Sequence, residues 1–191
     1  GVGGSASTDG GLGAIRAMEP IVRFSGIDLI VACDVATSFL NAPSIFGPQK
    51  GATEAQIELL KRRLSLLAEM YLDEYGVDVT NMPRSGAAGG LAGGLAAVGA
   101  RLVDGFDLIA EEVELEDAMS TADLVITGEG RLDSESFNGK VVGGVAVIAE
   151  RHDVPVVAVV GERDPETTVP EGISVVSLIE SFGSERAFQE T

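Results

Sequence analysis

The 191-residue chain has little of several things that would otherwise guide a functional reading. With one cysteine (Cys33) and one histidine (His152), it can build neither a disulfide framework nor a structural zinc cage. A lone thiol fits a reducing compartment, and a cytoplasmic protein is expected. Tryptophan is absent, and aromatic residues make up only 5% of the chain. Cations are scarce: 13 Lys+Arg stand against 30 Asp+Glu, a formal net charge of −17. Clustered cations hold nucleic-acid phosphates and anionic lipid headgroups, so neither is an expected partner. The longest run of small apolar residues, 86–100, is too short and too glycine-rich to span a bilayer. Disorder is excluded as well, because 45% hydrophobic and 23% charged residues are ordinary globular usage.

What the chain has in excess is glycine, 25 residues, about twice the usual ~7%. The first of them opens the chain inside what reads as a loop motif, so we expect a piece of a longer protein. The oligomeric state is left open.

Apolar periodicity organises the rest. Residues 27–35 (IDLIVACDV) read as a buried strand ending near Asp34, with Cys33 a small core residue. Thr53–Tyr75 reads as a helix: Thr53 and Gln56 form a capping-box pattern, and Ile57, Leu60, Leu64, Leu67 and Tyr71 share one face. Residues 86–100 predict a loop followed by a close-packed helix of small residues. A strand at Ala122–Thr127, a polar loop at 128–136, a helix over roughly 139–152 and a strand at Val154–Val160 form a βαβ unit, and a further strand is expected at Ile173–Leu178. This predicts the α/β class, with parallel-sheet layers and flanking helices. A strand followed by Gly-Glu occurs twice, at 128–129 and 161–162, which we read as a coincidence of turn chemistry.

Four segments combine glycine with polar side chains. Residues 1–13 (GVGGSASTDGGLG) offer backbone N–H groups, Ser5, Ser7 and Thr8 hydroxyls and the Asp9 carboxylate, suited to an anion or else to a flexible tether. The absence of Gly-Lys-Ser/Thr after it excludes a Walker A loop. Residues 46–52 (FGPQKGA) set Lys50 before the capped helix, reinforcing an anion site or merely solvated in a turn. In 85–94, Gly86, Gly89 and Gly90 allow close approach of a ligand or of a neighbouring helix. Residues 127–140 (TGEGRLDSESFNGK) follow a strand end, where open α/β sheets bind ligands. They place Glu129, Asp133 and Lys140 around that crevice, with carboxylates suited to Mg²⁺. Asp34 reads as part of the same rim; a buried aspartate there would need a donor or a metal. His152 reads as a solvated helix-end cation.

Taken in order, GVGGSASTDGG, ACDV, FGPQKGA, SGAAGGLAGG and ITGEGRLDSESFNGK resemble the bacterial type-I glycerate kinase family along essentially the whole chain. Ser7-Thr8, Ser85 and Glu135 depart mildly from the family pattern. The resemblance implies ATP-dependent phosphorylation of D-glycerate to 2- or 3-phosphoglycerate with Mg²⁺. It also implies an incomplete copy of a two-domain α/β fold whose site lies in the cleft between domains. A central part is expected over about residues 1–110 and a Rossmann-like βαβ part over about 111–191. On that reading Lys50 and Arg131 face anionic groups, with Lys140 a third cation. Gly3, Gly4, Ser5, Gly86, Gly89, Gly90 and Gly128 approach the nucleotide. Asp9 and Glu129 serve Mg²⁺ directly or at one remove, and Asp133 or Asp34 accepts the hydroxyl proton. A non-catalytic metabolite- or nucleotide-binding module is the alternative.

Overall fold

The computed structural model describes residues 1–21, 26–137 and 140–189. Two compact units divide the chain, Gly1–Gly105 and Phe106–Thr191.

In the first unit, α1 (Leu12–Met18), β1 (Ile30–Cys33), α2 (Ala42–Phe46), α3 (Glu54–Tyr75), α4 (Leu91–Ala97) and β2 (Arg101–Asp104) follow in order. The helix α3 starts where the sequence says it must. The Gln56 N–H donates to Thr53 Oγ1 (3.3 Å) and the Thr53 N–H donates back to Gln56 Oε1 (2.8 Å), so two orphan donors are satisfied reciprocally. Gly76, at φ 73°, ends the helix. Its inner face buries Leu64, Leu67, Ala68 and Tyr71 against Ile15, Phe39 and Val79. Burial of each large side chain stabilises by roughly 1.5–3 kcal/mol. Phe39 meets the Tyr71 ring edge-on, with centroids 6.3 Å apart.

Strand β1 pairs in parallel with β2, from Ile30 opposite Arg101 to Cys33 opposite Asp104. Cys33 is a buried core residue, as expected. β2 was not expected: four residues following Gly99 and Ala100 carry too little periodicity to be read as a strand. The pairing sets the ends of both strands, Asp34 after one and Asp104 on the other, at one edge of the sheet.

The second unit is entered through α5 (Gly105–Glu112), which starts on the last residue of the first, and contains α6 (Leu115–Ser120), β3 (Val125–Leu132), α7 (Val141–Arg151), β4 (Val156–Arg163), β5 (Ile173–Ser177), α8 (Leu178–Phe182) and α9 (Ser184–Gln189). β3, β4 and β5 form a parallel sheet in that order, and α7 makes the crossover. Val142, Val145, Ile148 and Ala149 are buried along α7. The α/β class with parallel sheets and flanking helices is therefore the observed one. Gly139, where the sequence starts the α7 helix, lies outside the described residues.

The expected polar loop at 128–136 is corrected in its first half, because β3 runs on through Leu132. Glycine makes this possible. A Cβ on Gly128 would collide with the Val159 carbonyl, and one on Gly161 would come within 2.5 Å of the Gly130 carbonyl. The two Gly-Glu dipeptides thus lie within adjacent strands rather than in turns, offset along the register, with Arg131 opposite Glu162.

Candidate active site

In the first unit the opening glycine-rich segment is tied down along its length. The Val2 N–H donates to the Ala32 carbonyl and the Gly10 N–H to the Gly89 carbonyl, both at 3.0 Å. The buried Tyr71 hydroxyl donates to the Gly10 carbonyl at 3.0 Å. Burial, followed by the nearby charge of Asp9, pushes the Tyr71 phenol well above its ordinary value. A flexible tether does not have these anchors. The Asp9 carboxylate accepts from the Gly11 N–H (3.1 Å) and the Gly13 N–H (3.2 Å), so it caps the start of α1.

Lys50, in the turn before α3, reaches this segment. Its ammonium donates to the Ser7 carbonyl at 2.7 Å and to Ser5 Oγ at 3.1 Å. Burial pulls the Lys50 amine below the usual lysine value. Lys50 lines a cavity of about 220 Å³ together with Gly3, Gly4, Ser5, Asp34 and Gly89. A Cβ on Gly3 would sit 3.6 Å from the Asp34 carboxylate. A second cavity, of about 340 Å³, shares Lys50 and is bordered by Thr8, Gln56 and Arg63. The first unit therefore gathers Gly3, Gly4, Ser5, Asp34, Lys50 and Gly89 around one space.

The glycines of the third segment have a packing role. A Cβ on Gly86 would collide with the Ser38 carbonyl and one on Gly89 with the Ser7 carbonyl, while one on Gly90 would lie 2.8 Å from the Gly10 Cα. Their missing side chains let two glycine-rich segments lie backbone to backbone.

Asp34 needs correction on two counts. It is exposed, so it has no desolvation cost to offset. It also follows β1, in the β1–β2 sheet of the first unit, whereas residues 127–140 continue from β3 in the second.

In the second unit Gly128, Glu129 and Arg131 lie on β3, with Asp133 directly after it. Asp133 Oδ1 accepts from the Glu135 N–H at 2.9 Å and from Ser136 Oγ at 3.4 Å; Ser136 is fully buried. The Lys140 ammonium stands 4.0 Å from the same oxygen and 3.4 Å from Glu135. Arg131 lies 3.7 Å from Asp164. Glu129 Oε1 is buried and meets no hydrogen-bond donor among the described residues. Asn138 and Gly139 of this motif lie outside the described residues. His152 sits at the end of α7, its Nε2 3.3 Å from Glu116.

Among the described residues no cluster of three or more acidic, histidine or cysteine side chains could hold a metal. A Mg²⁺ ion carried mainly by phosphate oxygens needs only one or two carboxylates, and the unpartnered Glu129 oxygen suits that. No helix among the described residues is long and apolar enough to cross a membrane.

Sequence reasoning missed one charged pair. Arg84 Nη2 donates to Asp104 Oδ2 at 3.0 Å, at the carboxyl end of β2. The available signal was a second short apolar run closing on aspartate, RLVD after IVACD.

Known proteins share this sequence pattern and fold. Residues 19–190 match the profile described as the Glycerate kinase family. Glycerate 2-kinase of Escherichia coli K12 is 36% identical over 219 residues, covering 96% of this chain and 58% of that protein. A glycerate kinase of Halalkalibacterium halodurans is 37% identical over 193 residues, 84% of this chain and 51% of that one. A crystal structure described as "putative glycerate kinase 2" of Salmonella typhimurium LT2 superposes with a TM-score of 0.75 at 33% identity, covering 98% of this chain and 59% of its own. The chain thus spans between about half and three fifths of the length of these relatives.

Proposed function

Since the chain belongs to the glycerate kinase family, we propose that it carries part of the site at which ATP phosphorylates D-glycerate to 2- or 3-phosphoglycerate. The supporting observation is the cavity in which Lys50, pinned by Ser5 and Ser7, shares one space with Asp34 and the Gly3–Gly4 backbone. Phosphoryl transfer asks little covalent chemistry of a protein; it asks for positioning and for charge neutralisation. In so acidic a chain a fixed ammonium is the natural counter-charge for a carboxylate or a phosphate.

The hydroxyl proton of glycerate passes to a carboxylate as its oxygen attacks the terminal phosphorus and the bond to ADP breaks. We assign that proton to Asp133, with Asp34 as the alternative acceptor. Arg131 and Lys140 offer further positive charge, and the Gly3–Gly4 and Gly128 backbones allow close approach of the nucleotide. Glu129, and Asp9 at one remove, would hold Mg²⁺, whose chemistry is to neutralise charge on the phosphates.

The test is kinetic and uses the protein at its natural full length. Lys50→Ala and Asp133→Asn are each expected to lower kcat/KM by ~10²-fold or more, with phosphoglycerate followed by mass spectrometry. Values within a few-fold of wild type would refute the assignment. Binding of ATP and glycerate without any phosphoglycerate would favour a non-catalytic binding module.

A further inference from the structure

Arg84 has a backbone that its side chain must justify. Its φ is 70°, in the left-handed region, where an L side chain meets a steric cost that glycine would not. The loop around it is laid over the segment that follows Asp34. The Arg84 N–H donates to the Ala36 carbonyl (3.1 Å) and the Gly86 N–H to the Thr37 carbonyl (2.9 Å). Fully buried Ser85 donates to the Val79 and Met82 carbonyls. The guanidinium therefore lies at the carboxyl end of the β1–β2 sheet, where Asp104 stands opposite Cys33 and Asp34 comes next along the chain.

Charge around Cys33 fits this placement. Burial raises the thiol; the Arg84 guanidinium opposes that, while Asp34 and Asp104 add to it, so all three groups act on one side chain. The guanidinium's donors are unevenly used. Nη2 is committed to Asp104, and Nε is buried with no acceptor among the described residues. Nη1 is neither buried nor hydrogen-bonded there, in a side chain that is 28% exposed. A partly buried ion pair is weak grounds for keeping an arginine in a strained backbone. A planar guanidinium braced by one carboxylate and still offering a donor is, however, suited to a second carboxylate.

We propose that Arg84, braced by Asp104, binds the carboxylate of the hydroxy-acid substrate and selects an acid over an uncharged polyol. This rests on the kinase reading above and adds the recognition of the acid group to it.

The test uses the full-length protein with D-glycerate and its uncharged amide, glyceramide. Arg84→Gly suits the left-handed backbone, so it removes the guanidinium without adding strain. It is expected to raise KM for glycerate by about tenfold or more while leaving KM for ATP within about twofold. The preference for glycerate over glyceramide should collapse with it. Arg84→Lys should restore part of that preference through its charge. Asp104→Asn keeps the guanidinium and should retain most of the preference, whereas a purely structural ion pair predicts equal effects of Asp104→Asn and Arg84→Gly. An active wild type whose acid-over-amide preference survives Arg84→Gly overturns the assignment and leaves the kinase reading standing. A wild type that phosphorylates no glycerate overturns both.

Discussion

Substituting Gly89 tests how the opening segment is held, and its cost can be worked from the structure. Gly89 sits at φ 67°, and an added Cβ would collide with the Ser7 carbonyl and come within 2.9 Å of the Thr8 Cα. Placing alanine in the left-handed region costs about 1–2 kcal/mol. Forcing backbone apart in a packed site costs about 1–3 kcal/mol more, so Gly89→Ala should destabilise by roughly 2–5 kcal/mol. Gly4 supplies the control. Its φ is 56° and an added Cβ would meet nothing within 4 Å, so Gly4→Ala should incur only the backbone cost. Urea titration of the full-length protein, followed by circular dichroism, measures both. Because Ser7 accepts from Lys50, Gly89→Ala should also lower kcat/KM. If Gly89→Ala proves no more destabilising than Gly4→Ala, the backbone contact between the two glycine-rich segments is not what holds the first one in place.

Three further outcomes are expected. Tyr71→Phe should cost about 1 kcal/mol by removing the hydrogen bond to Gly10. Because the folded phenol holds its proton above the pH at which the unfolded one releases it, the stability Tyr71 contributes is complete below the ordinary tyrosine value of about 10 and is lost as pH rises beyond it. Tyr71→Phe should therefore flatten the alkaline limb of a stability–pH profile; an unchanged limb would refute the assignment. Thr53→Ala should lower stability by about 1 kcal/mol through loss of the α3 capping box, read as a shift in thermal midpoint. Glu129→Gln should leave stability unchanged or raised, because it removes a carboxylate with an unpartnered buried oxygen, while lowering kcat/KM. A stability loss of about 1 kcal/mol or more would mean that the carboxylate is partnered in the native protein.

Features that depend on short-range chemistry were legible in the sequence. The α3 helix, with its Thr53–Gln56 box, apolar stripe and Gly76 stop, is set by residues within a few turns of one another, as is the β3–α7–β4 unit. The α/β class follows from that alternation. Other features depend on which distant segments meet, and periodicity carries no record of that. β2 is too short to announce itself and is a strand because β1 lies beside it. Gly128 and Gly130 read as loop formers, yet they continue β3, where Val159 packs on the missing side chain of Gly128 and the Gly130 carbonyl on that of Gly161. Gly86, Gly89 and Gly90 could have served a phosphate or a neighbouring backbone; packing against Ser38, Ser7 and Gly10 identifies the neighbour.

The site divides in the same way. The sequence marked Lys50 and the opening glycine-rich segment as chemically capable, because glycine, hydroxyls and a lone cation in an acidic chain point to an anion. It could not say that Lys50 crosses to Ser5 and Ser7, that Asp34 is exposed directly after β1, or that Arg84 meets Asp104. Local sequence determines which backbone conformations and charges are available. Which of them become neighbours is decided by strand register and core packing, because those contacts join residues tens of positions apart.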